Sequence, residues 1–400
     1  MPSVSNRTRG LGTEHAFVVL AEVNQLIAQG RDIVSFSIGQ PDFVTPANIR
    51  EAAKRAMDAG KTGYTASAGI PELRTAVAEY LHRTRGLDYS ADDITVAAGA
   101  KPFIMYTILA VTDAGAGQEV LYPTPGFPIY ESQITACGAV PVALPLLERE
   151  AFSFDIAELK ARLSPRTRLL ILNSPHNPTG RTLNRDELAA IAEALAGYPE
   201  CWVFSDEVYS RMVHDGGFTS IAQIPGMRER TVLLDGASKS YAMTGWRLGY
   251  AASKQLAPYF STWITNTESC ASSITQWAGL EALTGPQDEH VRMMESFTRR
   301  RNLICEGLNS LQGLKTLRPG GAFYVWPNVT ELCAMTGAAS AEALRKRWLY
   351  EAGVAVLADS QFGKPVPGQG HHVRFSYATS EANIEQGLER LRAWIAKAKR

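Results

Sequence analysis

The sequence predicts an α/β protein, a mostly parallel sheet flanked by helices, followed by a smaller α+β domain. Three observations carry this expectation. From residue 94 onward short apolar runs alternate with amphipathic stretches, the pattern of strands joined by helical crossovers. A long helical zone, 255–312, is interrupted at Gly285-Pro286, and a Gly-Pro pair is a strong helix breaker. Beyond that break the rhythm changes to three short apolar segments set between two helices. The expected division is an N-terminal segment 1–45 packing with the small domain, a large domain 46–285 and a small domain 286–400.

The elements follow in order. Phe17, Leu20, Ala21, Asn24, Leu26 and Ile27 recur at helical spacing and end at Gly30. Ile33–Phe36 reads as a strand entering the turn Gly39-Gln40-Pro41-Asp42. Thr45-Pro46 is expected to cap a helix to Ala59, and a second helix runs from Pro71 to the stop at Gly86. Strands are expected at Ile94–Ala98, Glu119–Tyr122, Val140–Leu144, Leu169–Leu172, Cys201–Ser205, Val232–Leu234 and Arg247–Tyr250, with a helix at Pro102–Val111. Asp155-x-x-Glu158 and Asn184-x-x-Glu187 read as capping boxes opening two more helices. The small domain is expected to hold strands near Ala322–Trp326, Val354–Leu357 and Val373–Tyr377, with helices at 340–352 and 380–398.

Composition excludes several function classes. Forty basic residues balance forty acidic ones, which leaves no electrostatic case for nucleic acid or an anionic membrane. No apolar window approaches bilayer length; Pro102–Thr112 is the best. The five cysteines are scattered and form no C-x-x-C pair, which argues for reduced thiols, a cytoplasmic protein and no zinc site. Gly115-Ala116-Gly117 imitates a dinucleotide fingerprint but leads into a strand and lacks the third glycine.

The chemistry collects where strands end. Lys239 follows the apolar segment Thr231–Leu234 within Ser238-Lys239-Ser240, and Arg247 stands eight residues on. A poorly solvated lysine reaches its neutral form easily and can condense with an aldehyde. Ala98-Gly99-Ala100-Lys101 lies between a strand and a helix, where small residues and free backbone N–H groups suit a phosphate. Asn177, in Asn173-Ser174-Pro175-His176-Asn177-Pro178-Thr179-Gly180, can hold a ring hydroxyl, or can simply be a turn asparagine. Asp206 and Tyr209, in Ser205-Asp206-Glu207-Val208-Tyr209, offer a carboxylate for a buried cationic ring nitrogen and a phenol three residues on. A lysine for an aldehyde, a phosphate cup and a carboxylate for a pyridinium together describe pyridoxal 5'-phosphate, with Asp206 keeping the ring nitrogen protonated.

With those motifs in view, the chain resembles the class I aminotransferases of pyridoxal-phosphate fold type I, particularly the bacterial branch of aspartate and aromatic aminotransferases. The resemblance runs from Ser37–Phe43 to Val373–Ala378 and includes Asn177-Pro178-Thr179-Gly180, Ser205–Tyr209, Ser238-Lys239 and Gly245-Trp246-Arg247 in the family's order and spacing. It implies a seven-stranded, mostly parallel sheet and an amino acid:2-oxo acid aminotransferase. Lys239 would form the internal aldimine and shuttle the Cα proton. Asp206 would pair with the pyridine nitrogen, while Tyr209 and Asn177 would hydrogen-bond the ring oxygen. Gly99, Ala100, Ser238 and Arg247 would bind the phosphate, beside Lys101, and Phe127 would stack on the ring.

The same resemblance implies a homodimer with shared active sites, in which Tyr64 reaches the neighbouring subunit's phosphate. Arg374 would grip the substrate α-carboxylate, where its planar fork gives a bidentate contact, and Gly39 would approach it through backbone. The Asn177–Pro178 bond is expected to be cis. Phe127 replaces the tryptophan usual in aspartate-specific relatives and cannot donate a hydrogen bond, whereas Lys101 sits where some bacterial aspartate enzymes place a lysine for a distal carboxylate. Specificity is expected to depend on Gly10–Phe17, Lys101, Phe127 and the partner's loop near Thr265–Ser273. The fold also serves C–S β-lyases and other Cα-bond-cleaving enzymes, and non-catalytic sensor domains. Arg374 has a structural ion pair as its minor alternative, whereas His176 reads as a loop filler, Glu207 as serving the fold and Trp246 as packing.

Overall fold

The computed structural model describes residues 2–12 and 14–398. Its strands are β1 (Val34–Ser35), β2 (Ile94–Ala97), β3 (Glu119–Thr124), β4 (Val140–Pro145), β5 (Thr167–Asn173), β6 (Trp202–Asp206), β7 (Thr231–Gly236) and β8 (Gly249–Ala252). After them come β9 (Tyr324–Val325), β10 (Val354–Ala355), β11 (Leu357–Ala358) and β12 (Val373–Ser376). A seven-stranded sheet has the order β2-β8-β7-β6-β5-β3-β4. Every pairing from β7 to β4 is parallel, and β8 alone runs antiparallel to both neighbours.

Parallel strands buried on both faces read as continuous apolar runs, and the packing shows why. In β7, Leu233 packs with the helices Ala47–Asp58, Pro71–Arg85 and Ser273–Thr284 on one face. Val232 and Leu234 pack with Pro102–Val111, Ile129–Cys137 and Ala257–Thr267 on the other. The same alternation runs through β5, where Leu170 and Leu172 face away from Leu169 and Ile171. Only β4, at the edge, mixes exposed and buried positions.

Toward the C-terminus β9, β12 and β11 form a three-stranded antiparallel sheet, and β1 returns to pair with β10 in parallel. A core of Phe36, Phe297, Phe323, Trp348, Phe375 and Trp394 joins these strands to the helices Asp288–Asn309 and Glu381–Ala398. The helix His15–Ala28 lies against residues of both regions, since Val19 and Val23 share a cluster with Leu121 and Leu170 and also with Ala355 and Leu357.

Several expectations need correction. The helix His15–Ala28 buries Ala16, Val19, Val23 and Leu26, leaving Phe17 and Ile27 exposed. Thr45 does not cap: Pro46 holds the N-cap position, and the Thr45 hydroxyl instead donates to Ala242 O (2.7 Å) and accepts from Trp246 Nε1 (3.0 Å). Arg247 precedes its strand in a left-handed turn, φ +58°. Asp155 caps by accepting from Ala157 N and Glu158 N, but Glu158 turns to Arg162 instead of closing the box. The 255–312 zone breaks at 268–272 as well as at Gly285, and the helices Ile129–Cys137 and Thr330–Thr336 escaped the periodicity. The Asn184 box forms as expected.

Trp348 is fully buried between Phe375 (6.0 Å) and Trp394 (6.4 Å). Trp348→Ala should cost about 3–5 kcal/mol, read as a lowered urea midpoint; a loss below about 1 kcal/mol would mean that this core collapses around the gap.

Candidate active site

The carboxyl ends of β2, β5, β6 and β7 open on one side of the large sheet, where ligands of such sheets bind. The cleft there has a volume of about 610 Å³. It gathers Gly39, Ala100, Lys101, Phe127, Asn177, Asp206, Tyr209, Ser238, Lys239, Arg247 and Arg374 from seven separate segments. Gly99 stands just behind: a Cβ there would lie 2.1 Å from Arg247 Nη2, and its φ of +99° suits only glycine. Tyr64 lies outside the cleft of its own chain and is 91% exposed.

Asp206 ends β6 on the floor, buried. Tyr130 Oη donates to its Oδ2 at 2.6 Å, and Val208 N approaches Oδ1 at 3.4 Å. Burial raises its pKa to about 6, against the lowering effect of those donors. Among the described residues no cation forms an ion pair with it, so a protonated ring nitrogen would complete it.

Lys239 lies in the first helical turn after β7, and its Nζ donates to Gly39 O at 2.5 Å. Surrounding protein pulls its pKa from 10.5 to about 8 by desolvation, partly offset by Glu14, and Arg374, Arg247 and Lys101 push the same way as burial. Lys239 is only partly buried and lines the cleft.

Arg374 is buried in β12 with no carboxylate partner among the described residues. Its Nη1 donates to Asn177 Oδ1 (2.9 Å), its Nη2 to Ser37 O (2.6 Å), and its Nε has no partner. The rings of Tyr324 and Phe362 lie 4.4 and 4.9 Å from the guanidinium carbon. Burial lowers its pKa without removing the charge. A buried, held and uncompensated guanidinium is a receptor for an anion, and the ion-pair reading of Arg374 falls away.

Arg247, beside Ser238 and the turn Gly99-Ala100, is a second cation with no carboxylate partner among the described residues; its Nη1 donates to Thr244 O at 2.9 Å. Together with the N-terminus of Pro102–Val111 it makes an anion cup. Asn177–Pro178 is cis, as are Thr124–Pro125 and Ser174–Pro175. His176 is buried with Nδ1 on Thr179 Oγ1 (2.8 Å), and burial lowers its pKa to about 3, so it stays a neutral loop residue.

Three lining residues escaped the sequence reading. Tyr130, three residues after Phe127, serves Asp206; Tyr324 Oη meets Tyr209 Oη at 2.7 Å; Glu14 accepts from Lys101 Nζ at 2.7 Å. Glu14 lies inside the segment expected to set specificity, while Thr13 is outside the described residues. Lys101 therefore points its ammonium at a carboxylate of the chain itself, over the ring of Phe127 (5.4 Å). Beneath the site Arg85 joins the ends of β6 and β7: its Nη2 is 2.6 Å from Asp235 Oδ2 and its Nε 3.0 Å from Glu207 Oε2, the latter an ionic contact without hydrogen-bond alignment. Burial lifts Glu207 to about 7 against the pull of Arg85.

The model of the class I and II aminotransferases matches residues 31–391. The chain belongs to that family. An aspartate/prephenate aminotransferase of Cereibacter sphaeroides is 39% identical over 404 residues, 99% of each chain. An asparagine–oxo-acid transaminase of Streptococcus mutans is 35% identical, over 99% of this chain and all of the relative. The crystal structure of the aspartate aminotransferase from Rhizobium meliloti matches with a TM-score of 0.92 at 35% identity, over 99% of each chain. The protein is an aminotransferase that depends on pyridoxal 5'-phosphate, and the desolvated lysine, the floor carboxylate without a cation and the anion cup fit that group.

The aminotransferase's lysine carries a stability signature. Its folded pKa of about 8 lies below the ordinary 10.5, so folding disfavours the charged amine. That handicap is full below about pH 8, fades as pH rises and is gone above 10.5. Cofactor-free Lys239→Met should therefore be more stable than wild type at pH 7, by at most about 3 kcal/mol, the gain vanishing near pH 10.5. A gain that is absent, or independent of pH, would contradict the desolvation argument.

Proposed function

We propose that this cleft transfers the amino group of an L-amino acid to a 2-oxo acid in a ping-pong cycle, with each expected residue in its implied role. The observation that carries the proposal is the uncompensated Arg374, held rigid among Asn177, Ser37 and two rings, in the same cleft as Lys239 and Asp206. The cofactor supplies a reactive carbonyl and an electron sink for the pair released at the substrate Cα. Arg374 binds the α-carboxylate by its two outer N–H groups, and Gly39 approaches it through backbone. Lys239 Nζ, partly neutral near physiological pH, takes up the Cα proton and holds it for return.

Asp206, kept in place by Tyr130, would pair with the ring nitrogen. Tyr209 and the amide end of Asn177 left free by Arg374 would donate to the ring oxygen. Gly99, Ala100, Ser238 and Arg247 would hold the phosphate, beside Lys101, and Phe127 would stack on the ring. Residues 46–285 serve as the cofactor-binding domain, and 286–400, with 1–45 packed against them, carry Arg374. The enzyme works in the cytoplasm: five free thiols support this, and among the described residues no helix is long and apolar enough to cross a membrane. Donors include dicarboxylic and uncharged amino acids, a reading supported by the names of the relatives and by the pairing of Lys101 with Phe127. Tyr64, exposed and apart from its own cleft, reaches the phosphate of a second copy in a homodimer.

The first test is a spectral titration of the purified enzyme with single amino acids and no acceptor. Stoichiometric conversion of the cofactor to its amine form, with one oxo acid per site, is expected; accumulating ammonia or carbon dioxide instead would point to a lyase or decarboxylase. Lys239→Ala should bind cofactor and lose turnover. Arg374→Lys should lower kcat/KM by about a hundredfold for every donor alike, because a bidentate buried contact is lost. Mixing Lys239→Ala with Tyr64→Ala chains should restore activity through hybrid dimers that hold one intact site, and strict additivity of the two defective enzymes would rule out shared sites.

A further inference from the structure

Glu14 occupies the N-cap position of the helix His15–Ala28 yet makes no capping hydrogen bond. Its carboxylate is used elsewhere, on Lys101 Nζ at 2.7 Å. Both residues line the cleft that holds Lys239 and Arg374. Of its charged lining groups, Arg374, Arg247, Asp206 and Lys239 are assigned to the α-carboxylate, the cofactor and the proton. The Glu14–Lys101 pair is the charged part of the lining that these roles leave unused. Its side chains are 23% and 41% exposed, so the pair is reachable and weak enough to be exchanged.

We propose that Glu14 is a specificity-determining residue that stands in for the distal carboxylate of a dicarboxylic substrate. With an uncharged side chain in the cleft, Glu14 neutralises Lys101, which would otherwise be an unpaired ammonium over the Phe127 ring beside apolar surface. A substrate with its own distal carboxylate displaces Glu14 and takes Lys101 as its donor, a contact Phe127 cannot supply. One site thereby accepts the two kinds of side chain that a two-substrate cycle brings to it. The inference rests on the aminotransferase reading above.

Glu14→Gln removes the charge at constant size. Half-reaction kinetics with aspartate and with phenylalanine should show kcat/KM for aspartate rising about threefold and that for phenylalanine falling by a similar factor, carried mainly by KM. Calorimetry on the holoenzyme should show succinate binding more tightly and 3-phenylpropionate more weakly. Glu14→Asp, which keeps the charge, should return the donor ratio toward wild type. A ratio within twofold of wild type in Glu14→Gln, or a shift toward phenylalanine, overturns the proposal. So does identical behaviour of Gln and Asp, which would mean packing and not charge. Wild-type turnover with an unmoved ratio defeats this inference alone, whereas a wild type that transaminates neither donor defeats the functional reading on which it rests.

Discussion

Charge held out of water without its partner is the constraint on which this structure depends. Asp206, Lys239 and Arg374 converge on one cleft, and burial disfavours the charged form of each. Such groups cost stability and are tolerated because the sheet beneath them is packed on both faces. The cost is what makes the site useful. A carboxylate short of a cation, an amine close to neutrality and a guanidinium short of an anion each offer a ligand a different contact.

Positioning these groups falls to contacts between segments far apart in the chain. Arg85, at the end of the helix Pro71–Arg85, holds Glu207 and Asp235, so the strand ends that carry Asp206 and lead to Lys239 are tied from below. Thr45 joins the N-terminal segment to the turn before Arg247 through Ala242 and Trp246. Asn177, in the loop after β5, orients Arg374 in β12. Each tie joins a segment at the cleft to a distant part of the chain, so the site is only as rigid as the packing that holds these segments together.

Much of this was legible beforehand. Apolar runs set between amphipathic stretches mark strands and crossovers because burial on both faces of a sheet is written locally. That is why β2 to β7, the break at Gly285 and the helices Pro71–Arg85 and Pro102–Val111 stand where the pattern puts them. Arg247 reads as strand because it abuts one, but its backbone must turn left-handed to bring the guanidinium back to Gly99. Thr45 reads as a cap because it has the right side chain before a helix. Its hydroxyl goes instead to Ala242, a partner nearly two hundred residues away.

By itself the sequence determined the order of the elements, the strand ends at which chemistry collects and the residue types waiting there, since these follow from local periodicity and side-chain chemistry. Only the tertiary structure decided which of those residues lack a partner and which are already taken. Tyr130 and Asp206 are 76 positions apart, Tyr209 and Tyr324 are 115, and Glu14 and Lys101 are 87. A hydrogen bond or ion pair forms through a few ångströms of space whatever the length of chain between its ends, so no local pattern announces it. That Arg374 has no carboxylate partner among the described residues is of the same kind, a property of everything packed around it.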